Sequence, residues 1–182
     1  PRETNAKCEV IYDRAAFKGG LLSLITLKPA GFGQMPAIIF IPGYMCYSLD
    51  NIGMHPYGQL VNKLAEQGFV VMRIEKPGEG DCEGTSDCRS IGLLEEVEAF
   101  EAGLRKLKSY DFVDQNNIFI FGHSLGAMEA PMIAAKNNVK GVIIEGTSAD
   151  SWFEYNLAMF RFHNPLMGTD YVENDQTIQQ SI

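Results

Sequence analysis

Histidine is scarce in this chain. The 182 residues hold three, His55, His123 and His163, so few groups are available as a general base near neutral pH. Cysteine is also sparse. Cys8, Cys46, Cys82 and Cys88 form no C-x-x-C pair, and no histidine stands at zinc-finger spacing, so no metal site is expected. Cys82 and Cys88 share one loop and read either as a bridge, in an oxidising compartment, or as two free thiols. Positive charge is in deficit: 15 basic against 23 acidic residues give a net charge of −8. With no Lys/Arg stripe, nucleic acid is not an expected partner. No apolar run approaches the length of a bilayer crossing, so no membrane span is expected. Internal repeats and low-complexity tracts are absent. No signal peptide opens the chain, but it begins Pro1-Arg2-Glu3 without a Met. It therefore reads as a trimmed piece, and the compartment stays open.

What is present is alternation. Cys8–Tyr12 and Leu21–Leu27 read as two strands in a hairpin-like pair, with a connection longer than a tight turn. The continuous apolar runs Pro36–Ile41, Phe69–Ile74 and Val139–Ile144 suit strands buried on both faces. Between them, 55–67 and 91–108 have helical spacing. In the second, Ile91, Leu94, Val97, Leu104 and Leu107 form an apolar stripe. Its acids Glu95, Glu96 and Glu98 precede its bases Arg105, Lys106 and Lys108, an order that suits the helix dipole and reads as a solvated face. Strand–helix alternation from Pro36 onward implies an α/β fold: a mostly parallel, doubly wound sheet with helices on both faces and antiparallel N-terminal strands. Ligand chemistry in such sheets gathers at the strands' carboxyl ends. Tyr44, Glu79, Ser124 and Glu145 all fall there.

The most informative stretch is Asn117–Glu129. An apolar strand-type run, Ile118–Phe121, meets Gly122-His123-Ser124-Leu125-Gly126, and a helix-compatible run follows, interrupted by Pro131. A tight turn that happens to hold a serine is the plain reading. The strand before it and the helix after it are the context of a nucleophile elbow. This stretch resembles the elbow of the α/β-hydrolase superfamily. The resemblance covers roughly Cys8 to Ser148 and implies that Ser124 is a nucleophile. Leu125 opens the following helix, so its N–H is one oxyanion donor. Pro42-Gly43-Tyr44 resembles the His-Gly-x segment that many members carry after the third strand, with proline where histidine is usual. That match makes the Tyr44 N–H the second donor. Lys76–Gly84 resembles the glycine-rich loop after the fourth strand in esterase, serine aminopeptidase and prolyl-oligopeptidase relatives. There Cys82 replaces the usual serine, and the loop is architectural.

The resemblance orders a triad as serine, then acid, then histidine. His123 flanks the nucleophile and is expected to point elsewhere. His55 precedes Ser124. His163 follows it by too few residues for two further strands. It falls in an aromatic segment, Trp152–Phe162, that reads equally as a lid over an acyl pocket or as core. Glu145 is an acid candidate but also a plain strand-end residue; Asp150 and Asp170 are later options. The expectation is a core in 1–148, a lid-like or C-terminal segment in 149–182, and a sheet truncated before the strands that carry acid and base. Such a piece exposes a sheet edge and is expected either to be marginally stable or to self-associate through it. The implied activity is a serine hydrolase acting on a small-molecule or peptide acyl substrate, an ester, thioester or peptide-like bond, without a cofactor. An inactive binding module of the same fold and an acyltransferase with the same elbow are the alternatives.

Overall fold

A two-residue turn, Lys18-Gly19, joins β1 (Cys8–Phe17) to β2 (Gly20–Pro29) in register from Cys8↔Pro29 to Phe17↔Gly20. Both turn residues have positive φ, 45° and 84°, which matches the right-handed twist of a hairpin. The hairpin is therefore longer and tighter than the sequence implied. The residues Asp13 to Ala16 are polar or small, and their strand character comes from pairing with β2, not from apolar periodicity.

The computed structural model describes residues 2–31, 33–147 and 149–168, without the side chains of Trp152 and Asn164. The sequence candidate Asp170 and Ser148, the end of the stretch covered by the resemblance, lie outside the described residues. β3 (Met35–Ile41), β4 (Val70–Ile74), β5 (Val113–His123) and β6 (Gly141–Glu145) run parallel to their neighbours, and β2 pairs antiparallel with β4. The sheet order is β1-β2-β4-β3-β5-β6. Helix α1 (Pro56–Glu66) covers one face, where Phe40, Val71 and Leu27 meet Val61 and Ala65. Helices α2 (Leu93–Lys108) and α3 (Leu125–Ala134) cover the other. There Ile39, Met72, Ile74 and Ile120 meet Phe100, Leu104 and Ile133. Successive residues Ile39 and Phe40 thus feed opposite cores, as the period-two pleat of a strand requires. The fold is the doubly wound α/β sheet expected from the alternation.

Three expectations are corrected. Leu94 is not on the buried stripe of α2; it is 64% exposed, and Ile91 lies before the helix. Glu96 is not on a solvated face. It is buried and paired with the buried Lys76. β6 is not buried: Val142, Ile143 and Ile144 are exposed on the last strand of the described sheet.

Contacts divide the chain into two units, Pro1–Thr147 and Ser148–Ile182. In the second, α4 (Trp152–Ala158) opens with a capping box. The Ser151 hydroxyl accepts from the Glu154 N–H, and the Glu154 carboxylate accepts from the Ser151 N–H. The chain continues through a π-helical turn, Met159–His163.

Candidate active site

The site is built where three parallel strands end together. Ile41 of β3 pairs with Gly122 of β5, and His123 of β5 pairs with Glu145 of β6. Ser124 follows at once, with φ 53° and ψ −118°. An L-residue in this region costs about 1–3 kcal/mol and persists only when its surroundings over-determine it. Here they do. The Ser124 N–H donates to the Glu145 carbonyl at 2.9 Å, and the Ser124 carbonyl accepts from the Ala127 N–H at 3.0 Å. The flanking glycines are close-approach positions. A methyl on Gly126 would lie 2.4 Å from the Ile41 oxygen, and one on Gly122 would lie 2.2 Å from the Gly126 oxygen. The two glycines of Gly-x-Ser-x-Gly thus let β3, β5 and α3 touch backbone to backbone. Ser124 is half-buried and heads α3, whose first N–H groups have no acceptor within the helix. Leu125 is the first residue of that helix.

The loop after β3 lies directly against the serine. A methyl on Gly43 would fall 3.2 Å from Ser124 Cβ and 3.6 Å from its Oγ. Tyr44 is the next residue, and its side chain is 60% exposed. Gly43 and Ser124 thus come together from two separate segments, and Tyr44 and Leu125 follow them in sequence.

Further along, the same loop is tied down by groups that the sequence did not single out. The Glu75 carboxylate accepts from the Ser48 hydroxyl at 2.6 Å and from the Leu49 N–H at 2.8 Å. The Leu49 carbonyl accepts from buried Arg73 Nη1 at 2.7 Å. Glu75 is buried, and burial pushes its carboxyl up despite those donors. Gly80 of the glycine-rich loop presses on it: a methyl there would lie 2.5 Å from Glu75 Oε1. That loop is architectural, as the resemblance implied.

Cys46, in the loop after β3, is bonded to Cys88, which begins a short 3₁₀ turn, Cys88–Ser90. This corrects the Cys82–Cys88 alternative. Cys82 is a free thiol, accepting from the Ser23 N–H at 3.3 Å and donating to the Lys76 carbonyl at 3.5 Å; burial pushes it up to about 11. Glu79 lies with Cys46 and Cys88, their ligand atoms within 4.8 Å of one another. The two sulfurs are bonded to each other, so this group offers a metal one carboxylate and no thiolate.

Of the histidines, His123 turns away from the serine. Its Nδ1 bonds the Glu145 carboxylate and its Nε2 bonds the Tyr57 hydroxyl. A neutral ring protonated on Nδ1 satisfies both partners. Burial, then the Glu145 charge, pushes the Tyr57 phenol up. Glu145 therefore holds the residue before Ser124, a role not read from sequence. His123 and Glu145 are register partners on adjacent strands, a neighbourhood that only the folded sheet creates. His55 caps α1, its Nδ1 accepting from the Tyr57 N–H at 3.3 Å. His163 lies in the second unit, beside an apolar hollow of about 300 Å³ lined also by Tyr155, Met159 and Phe162. Asp150 is exposed in that unit.

No family model matches the chain. A curated relative, Esterase EstD of Thermotoga maritima, is 29% identical over 128 residues, which cover 69% of this chain and 30% of the relative. Acetyl xylan esterase 1 of Thermoanaerobacterium sp. superposes with a TM-score of 0.64 at 18% identity, covering 97% of this chain and 58% of that one. Est1E of Butyrivibrio proteoclasticus, solved with ferulic acid bound, gives 0.61 at 21% identity, covering 71% and 50%. The chain thus spans less than a third of the curated relative's length and between half and three-fifths of these two structures. By this likeness in structure, the chain has the α/β-hydrolase fold.

Proposed function

We propose that the protein containing this chain is a serine hydrolase that cleaves an ester, thioester or peptide-like acyl bond through an acyl-enzyme on Ser124. The observation that carries this reading is the strained Ser124 backbone, with Gly43 placed so that an added methyl would touch the serine side chain. A serine held in such a conformation by three strand ends is pre-organised. Relatives named as esterases add support.

In this mechanism the Ser124 Oγ attacks the acyl carbon. Its proton passes to a base, and the carbonyl oxygen becomes an anion held by the N–H groups of Leu125 and Tyr44. The leaving group departs with the proton from the base, and water then releases the acyl group by the same steps. His123 is not that base, because both its nitrogens are engaged. His55 is engaged as a cap. We therefore place the base and its acid among residues of the whole protein beyond those matched here, with His163 as the candidate within this chain.

The test is a fluorophosphonate probe on the whole protein. Labelling is expected at Ser124 and should disappear in Ser124→Ala, with hydrolysis of 4-nitrophenyl acetate falling by about 10³-fold or more. Labelling that persists in the variant, or is absent from the wild type, overturns the reading.

A further inference from the structure

We propose that the Cys46–Cys88 disulfide is a positioning crosslink for the oxyanion side of this site, and that its reduction slows acyl transfer in a protein that stays folded. The inference rests on the serine-hydrolase reading above and adds to it a pair of residues that never meets substrate.

The segment from Pro42 to Leu49 has no regular secondary structure. Its first part runs beside Ser124, where a methyl added to Gly43 would contact the serine side chain. Its last part is held by Glu75 and Arg73 through Ser48 and Leu49. Between these anchors Tyr44 and Met45 are 60% and 53% exposed, so burial of their side chains does not fix the backbone. Cys46 is next, two residues from the proposed donor. It is bonded to Cys88, which is buried and starts a turn braced by the Asp87 carboxylate accepting from the Arg89 N–H at 2.8 Å. The bridge spans 42 residues of sequence and joins the loop after β3 to the loop after β4. An oxyanion donor must sit within a few tenths of an ångström of where the charge develops, and a misplacement near 1 Å costs about 100-fold. A covalent tie two residues away meets that demand.

Reduction by a dithiol consumes two electrons and two protons. Two thiols form on the protein, and the reductant closes to its own cyclic disulfide. Nothing else at the site changes its covalent state, since Cys82 is already a thiol.

The experiment uses the whole protein, oxidised and after treatment with dithiothreitol. A C46S/C88S variant and a C82S control are run beside it. We expect kcat on 4-nitrophenyl acetate, and the rate of fluorophosphonate labelling, to fall on the order of 10- to 100-fold on reduction, with KM within about twofold. C46S/C88S should match the reduced protein and ignore dithiothreitol, while C82S should respond like wild type. Circular dichroism at the assay temperature must show all four forms folded. Amide hydrogen exchange supplies a readout independent of catalysis: reduction should speed exchange over residues 42–49 and leave β3 and β5 unchanged. Unchanged kcat in a folded, reduced protein overturns the proposal, as does unchanged exchange over 42–49. Faster exchange in a protein whose oxidised form never labels at Ser124 would instead count against the hydrolase reading and leave the crosslink's hold on the loop standing.

Discussion

Single residues carry most of what this fold holds under constraint. Glu129 of α3 is fully buried, and among the described residues neither carboxyl oxygen has a hydrogen-bond partner. Burial first, then the Glu96 charge, pushes its carboxyl up from 4.5 to about 9, against a weaker pull from Lys76. The folded protein therefore keeps a proton that the unfolded chain has lost. Stability from this group is fully present below about pH 4.5 and declines as pH rises toward 9. Glu129→Gln keeps the shape and removes the titration. Urea midpoints at pH 5, 7 and 9 should show the variant gaining on wild type as pH rises; parallel curves would contradict the assignment. Glu96 illustrates why such a group escapes a sequence reading. Three acids at the head of a helix look alike in a pattern, yet Glu95 and Glu98 face Lys18 at the surface while Glu96 meets Lys76 inside.

At the scale of elements, the strand–turn–helix at Ser124 was legible because its demands are local. A strand, a forced backbone angle and a helix within a few residues leave glycine at two fixed positions, and those glycines are visible in the string. Gly126→Ala tests the close approach directly. Its methyl would meet the Ile41 and Pro42 oxygens at 2.4 and 2.5 Å, so β3 and α3 must separate. We expect a loss of about 1–3 kcal/mol in urea unfolding. Gly53→Ala, with nothing within 4 Å of the added carbon, should change stability by no more than about 0.5 kcal/mol. Equal effects would mean that the elbow tolerates the wider spacing. The disulfide was not legible, because Cys46 and Cys88 meet only after a helix and a strand have folded between them. A shared loop made Cys82 look the nearer partner. The hairpin turn was missed for a similar reason: Asp13 to Ala16 owe their conformation to β2 across the ladder.

For the whole molecule, the alternation of runs was enough to give the sheet's class, and the expectation of helices on both faces holds. What an apolar run does not say is whether its second face is covered. Val142, Ile143 and Ile144 read as core and stand exposed, while Val70 to Met72 read the same and are fully buried. An exposed apolar outer strand is a template for pairing. We propose that residues 1–182 alone self-associate through β6, measurable by sedimentation velocity. Ile144→Lys should return the chain toward monomer, and a wild-type chain that sediments as a monomer at the same concentrations would refute this. The outer strand also borders position 124. Its last residue accepts the serine's N–H on its carbonyl and bonds the neighbouring imidazole through its carboxylate. Fraying at that border would let the forced angle at position 124 relax to an ordinary one, so under the proposed mechanism catalytic competence should fade before the rest of the sheet melts.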